Sequence, residues 1–206
     1  MLFVVLVATV AYRFLMGLYE LPLVSVIQGF MSDNAKYSYM TKYVALFGTS
    51  VKFSLVKMLV MTVYDSLMYV VTFYITRFCS TISLILAPTA LTFSLLIFLS
   101  FRYALISAWS PAVVVEGKKI FPALWFSIKH AFRHMGSLFS LFFIVWLIAF
   151  ALNIFVGIFT FGVGLLVSAP ATMFFINLVN MTFYYGRAGK SYYVDGVVFN
   201  PEIRKK

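Results

Sequence analysis

"GSLFSLFFIVWLIAFALNIFVGIFTFGVGLLVSAPATMFFINLVNMTFYY", Gly136 to Tyr185, contains no Asp, Glu, Lys or Arg. A helix needs about 20 mostly apolar residues to cross the hydrocarbon core. This stretch holds two such runs, 136–157 and 159–185, joined around "NIFVGIFTFGVG". That joint is too short and too apolar for anything but a tight hairpin, so both outer ends of the pair lie on one side of a bilayer. The rest of the chain agrees with a membrane location. Hydrophobic residues make up 63% and charged residues 11% of 206 positions, against about a quarter charged in an ordinary soluble domain. Sixteen basic and six acidic side chains cannot supply the polar exterior that a soluble chain of this size needs.

Upstream lie three more segments of spanning length, at about 1–19, 51–76 and 81–109. The expected fold is all-α: a polytopic bundle of about five spanning helices, with 1–185 as a single transmembrane domain and interfacial helices beside it. The opening "MLFVVLVATVAYRFLMGLYELP" has no basic segment ahead of its apolar run and no small-residue cleavage motif, so it reads as a retained helix rather than a signal peptide. Between the first two spans, Pro22, Gly29, Ser32, Asp33 and Asn34 are followed by Tyr37, Tyr39 and Tyr43, which predicts a loop and then a short helix at headgroup level. Pro88, about two turns into the third span, predicts a kink. Gly186 predicts a helix stop. In the tail, 186–206, Asp195-Gly196 between Tyr-Tyr-Val and Val-Val-Phe predicts a short hairpin. No internal repeat suggests the duplicated halves common in secondary transporters.

Basic residues set the expected orientation. Lys118, Lys119, Lys129 and Arg133 fall in the connector 110–134, five more lie in the tail, and Lys36, Lys42, Lys52 and Lys57 cluster between the first two spans. Arg13 and Arg102 fall in the inner halves of their helices, and Arg77, expected in a turn between the second and third spans, is the basic residue left outside. The pattern predicts a bacterial cytoplasmic-membrane protein with its N-terminus outside and its C-terminus cytoplasmic. It also accounts for the net positive charge without nucleic acid.

"IFPALWFSIKHAFRHM", Ile120 to Met135, is two-faced at helical spacing, with Lys129, His130, Arg133 and His134 opposite the apolar arc. It predicts an interfacial helix at 120–135. Trp125 and Phe132 would anchor it among acyl chains or against the bundle, and Lys118, Lys119, Lys129 and Arg133 would meet anionic headgroups. The region from "FRYALISAWSPAVVVEGKKIFPALWFSIKHAFRHMG" through "FTFGVGLLVSAPATMFFINLVNMTFYY" resembles a group of uncharacterised bacterial polytopic proteins, themselves similar to the membrane domain of some glycerophosphodiester phosphodiesterases. The matching positions are Pro111, Glu116, Gly117, Ala123, Leu124, Ser127, Gly162, Gly164 and Pro170. The resemblance covers the C-terminal half and implies a polytopic domain of about six spans. It carries over no catalytic residue, because the phosphodiesterase site belongs to a separate soluble domain.

Candidate chemistry is sparse. A lone cysteine, Cys79, excludes a disulfide framework. His130 and His134 stand at i and i+4, a spacing that can hold a metal, but no third ligand is near in sequence and the HExxH pattern is absent, so neither metal nor cofactor is expected. Asp65 lies within a span, where a carboxylate is costly unless protonated or paired and often marks an ion path. Folding the second and third spans about a turn near residue 78 sets Asp65 level with residue 91, beside Thr89 and Thr92. Without a serine, histidine and acid constellation, a carboxylate pair or a nucleotide loop, enzymatic activity is not expected. The expected function is an accessory or scaffold subunit with a protein partner in a larger membrane assembly. The alternatives are a small transporter or channel-like oligomer using Asp65, and a lipid-handling protein.

Overall fold

A computed structural model describes residues 2–33, 37–194 and 197–199. The chain forms seven helices among the described residues: α1 (Leu2–Asp33), α2 (Tyr39–Ile82), α3 (Leu86–Ile106), α4 (Trp109–Glu116), α5 (Ile120–Arg133), α6 (Met135–Phe159) and α7 (Leu165–Ala188). Two short strands follow, β1 (Tyr192–Val194) and β2 (Val197–Phe199). Among the described residues, five segments are long and apolar enough to cross a membrane: Val10–Ser32, Tyr39–Ile82, Leu86–Glu116, Met135–Phe159 and Leu165–Ala188. The protein is an all-α integral membrane bundle. At 14 residues, α5 is about 21 Å long, too short for a hydrocarbon core of roughly 30 Å.

The region expected as a loop and a separate interfacial helix is helical through Asp33 and again from Tyr39. Helix α1 runs through Pro22, because Leu21, Val24, Ile27 and Met31 form a buried stripe at helical spacing. Burial of that stripe outweighs the donor that proline removes, as neighbouring helices permit in membrane proteins. Tyr39 and Tyr43 belong to the first turns of α2, where their rings stack 6.1 Å apart and Tyr43 meets Phe47 at 5.7 Å. At 44 residues, α2 is about 66 Å long, so it extends well beyond the apolar layer.

Helices α1 and α2 approach closely at Gly17. The Ser54 hydroxyl donates to the Phe14 carbonyl, and a Cβ built on Gly17 would stand 2.8 Å from the Ser54 Cα. Small residues at such a crossing let backbones touch, which is the main source of helix association in lipid. Because the obstructing atom is backbone, Gly17→Val is expected to cost about 2 kcal/mol through overpacking. The check is the midpoint of unfolding in mixed micelles. A midpoint unchanged from wild type would mean that the two helices separate freely there.

Pro88, Pro111 and Pro122 are each the third residue of their helix, α3, α4 and α5 respectively. First-turn amides have no intrahelical acceptor, so proline fits there, and the kink expected two turns into the third span is not formed. The turn between α2 and α3 is Ser83–Ile85 rather than near 78, so Arg77 lies inside α2. The third span breaks at Ser107-Ala108 and resumes as α4, which stops at Gly117 in the left-handed region, φ +62.

The α6–α7 hairpin turns through Phe161 and Gly162, φ 50 and 88. Its two arms are joined by side chains. Asn153 donates to the Thr172 hydroxyl at 3.2 Å and accepts from the Ser168 hydroxyl at 2.7 Å. Helix α7 continues past Gly186 and ends at Gly189, φ 66, whose amide caps Tyr185. Strands β1 and β2 pair antiparallel with Tyr192 opposite Phe199. The predicted turn residues Asp195 and Gly196, the terminal 200–206 and Lys36 lie outside the described residues.

Candidate functional site

Asp65 sits in the middle of α2 and is 9% exposed. Two guanidinium groups hold it. Arg102 of α3 donates through Nη1 to both carboxylate oxygens, at 2.9 and 2.8 Å, and Arg13 of α1 reaches Oδ2 with Nη2 at 2.6 Å. Arg13 also donates to the Thr62 hydroxyl at 3.1 Å, while the Arg102 guanidinium lies 5.0 Å from the Tyr103 ring centre. The expected neighbours Thr89 and Thr92 are not there. Each hydroxyl donates instead to its own helix, Thr89 to the Ile85 carbonyl and Thr92 to that of Pro88. The six-residue displacement of the α2–α3 turn moves them away.

The triad lines a cavity of about 340 Å³ walled by residues of α1, α2, α3 and α7. Two more charged side chains reach it, Lys57 and Glu20, paired with each other. The remaining walls are hydrogen-bonding and soft: Tyr12, Tyr19, Asn177 and Asn180 face a set of methionines, Met16, Met58, Met61 and Met173. Arg13, Arg102 and Lys57 outnumber Asp65 and Glu20, so the cavity holds one more positive than negative side chain. Buried Arg102 Nε and Asn180 Oδ1 make no hydrogen bond. Sequence reasoning singled out Asp65 and read Arg13 and Arg102 only as orientation signals. An arginine inside an apolar span is as costly as an aspartate, and that cost was the signal that the three belong together.

The residues expected at the lipid surface divide into separate groups. Phe121, Trp125 and Phe132 form one exposed strip of α5, and Trp125 is 71% exposed. They do not pack against the bundle. That contact is made by the small residues Ala123, Ser127 and Ala131, all fully buried. The Ser127 hydroxyl donates to the Leu105 carbonyl at 2.7 Å and accepts from the Ala108 amide at 3.2 Å, tying α5 to the α3–α4 break. Lys119, Lys129 and Arg133 are exposed. Lys118 turns inward, 2.5 Å from Glu116 and 3.5 Å above the Phe126 ring.

Burial, and then the positive charges of His134, Arg187 and Arg133, hold the His130 imidazole below its ordinary range. Burial, Arg187 and Arg133 do the same to His134. Their native pKa values lie below the unfolded value of about 6.5, so an unfolded chain takes up protons before the native one as the medium is acidified. Stability contributed by neutral histidine is therefore present above about pH 6.5 and lost as pH falls through the lower native values. Thermal unfolding of the detergent-solubilised protein at about pH 7.5 and about pH 5.5 should show the loss, and His130→Gln with His134→Gln should reduce it. An equal loss in the double variant would place the acid sensitivity elsewhere.

No family model, no curated protein and no solved structure matches this chain.

Proposed function

We propose that the protein is a small transporter that takes an organic anion into the cavity around Arg13, Asp65 and Arg102. It would sit in a cytoplasmic membrane with its N-terminus outside and its C-terminus inside, the arrangement that the positive-inside rule favours. One observation carries this reading: two guanidinium groups share a single carboxylate inside spanning helices. An uncompensated charge in a bilayer is expensive, and a solute carboxylate or phosphate supplies the missing negative charge. A volume of about 340 Å³ falls at the small end of ligand sites, which run from roughly 300 to 1,000 Å³. The methionine walls suit an apolar body of adaptable shape.

The test is uptake by proteoliposomes of a panel of labelled monocarboxylates, dicarboxylates and phosphate esters, paired with their effect on the melting temperature. Arg102→Gln leaves Arg13 and Asp65 as a neutral pair, so the variant is expected to fold. It should nevertheless lose the stabilisation and uptake given by the active anion. If no anion of the panel accumulates or shifts the melting temperature, the accessory-subunit reading replaces this one.

A further inference from the structure

A second concavity, of about 440 Å³, lies between the C-terminal ends of α5 and α7 and shares no lining residue with the central cavity. His130 and Arg133 enter it from α5, His134 from the joint between α5 and α6, Tyr184 and Arg187 from α7, and Glu116 from α4. The carboxylate is already engaged: Glu116 accepts from the Tyr184 hydroxyl and is ion-paired to Lys118. Lys190 adds a further positive charge that acts on Glu116. Among the described residues, neither Arg133 nor Arg187 makes an ion pair, although the Arg187 guanidinium rests 5.3 Å from the Phe183 ring centre. The two imidazole rings stand 4.9 Å apart, and the buried His130 Nε2 has no hydrogen-bond partner.

Cations at helix C-termini partly answer the helix dipole, and basic loops belong on the cytoplasmic side. Neither rule explains why two arginines and two histidines converge in one hollow whose carboxylate is spoken for. Such an arrangement repels itself when empty and is relieved by an anion. Arginine matches phosphate geometry with paired donors, and imidazolium adds charge-assisted donors below neutral pH. The exposed strip Phe121, Trp125 and Phe132 runs along the same helix, which sets the hollow at headgroup depth if that strip enters the acyl layer.

From these observations we infer that the α5–α7 cleft binds a phosphate-bearing anion, through Arg133 and Arg187 assisted by His130 and His134. A lipid phosphomonoester and a soluble phosphate ester share that chemistry. Binding tightens on acidification, because the histidines that an anion stabilises must gain protons. The site is separate from the central cavity, so Arg102→Gln leaves it unaffected.

The experiment uses the purified full-length protein, with native mass spectrometry and thermal shift read against phosphatidic acid, phosphatidylcholine, inorganic phosphate and glycerol phosphate. Phosphatidic acid is expected to bind and stabilise, and Arg133→Gln with Arg187→Gln is expected to weaken it by at least about tenfold. Lys119→Gln with Lys129→Gln, which removes exposed charge outside the cleft, should leave binding unchanged. Replacing both histidines with Asn should remove the pH dependence. Binding of the soluble phosphates alone, lost in the arginine variant, would keep the site and make its ligand soluble. Equal binding by wild type and the arginine variant, an equal loss in the lysine variant, or no response to any phosphate compound would overturn the inference.

Discussion

Asp65→Asn is expected to destabilise the bundle by about 3 kcal/mol, the low end of the range for leaving a buried charge without its partner. The low end applies because the three side chains keep between 12% and 19% of their surface accessible. Viewed along the sequence alone, Asp65 is a lone carboxylate that asparagine replaces well, since hydrogen bonding survives the loss of charge. With Arg13 and Arg102 both resting on it, the substitution instead leaves two guanidinium groups facing each other across a neutral amide. Arg102→Gln alone should be close to wild type, because one cation and one anion remain. The double variant, Asp65→Asn with Arg102→Gln, should recover part of what Asp65→Asn loses. Unfolding midpoints of the four proteins in mixed micelles form a double-mutant cycle that isolates this coupling. If Asp65→Asn matched wild type, the two guanidinium groups would not depend on this carboxylate, and the energetic logic of the transport proposal would need another counter-ion.

That five helices span was legible because apolar runs of spanning length have few other destinations, although the first spanning segment is Val10–Ser32 rather than 1–19. The α6–α7 hairpin was the plainest, since its tight turn lies within an uncharged stretch. The position of the α2–α3 turn was not legible. Arg77, Ser80 and Thr81 look like turn residues, yet the Ser80 and Thr81 hydroxyls donate to the Arg77 and Phe78 carbonyls at 2.7 Å and are satisfied inside a continuing helix. Each residue by which a hairpin turn moves shifts the facing pair by two. Moving it from near 78 to Leu84 therefore carries Asp65 from the level of Thr89 and Thr92 to that of Arg102. The central site was half legible for the same reason: its members were visible as charges in apolar segments, but their meeting depended on a turn with no local marker. The α1 stripe was hidden by Pro22, whose breaking tendency lost to tertiary burial. Helix α4 was hidden differently. Trp109 to Val113 are all buried, so the segment has no polar face, and without a polar face there is no period to read.

That same burial makes Trp109→Ala the second large effect, an expected loss of about 4 kcal/mol from the cavity it leaves. Trp109 is 1% exposed and is among the largest fully buried side chains. Its ring meets Phe53 of α2 edge-on at 5.0 Å, and it shares a cluster with Leu21 of α1, Ile106 of α3 and Ala123 of α5. Its Nε1 donates to the Ile120 carbonyl at 2.9 Å, spanning the Gly117 turn and fixing where α5 begins. Trp109→Phe keeps most of the ring and loses that donor, and since a helical carbonyl at Ile120 retains its own intrahelical bond, the cost should be only about 1 kcal/mol. The difference between the two variants separates packing from hydrogen bonding. Unfolding midpoints measure the total, and proteolysis at Lys118-Lys119 in the folded protein reports whether the α4–α5 joint has loosened. If Trp109→Ala unfolds at the wild-type midpoint with the joint still protected, α4 is a passive filler and the cluster that Trp109 shares with Leu21, Phe53 and Ile106 holds without it.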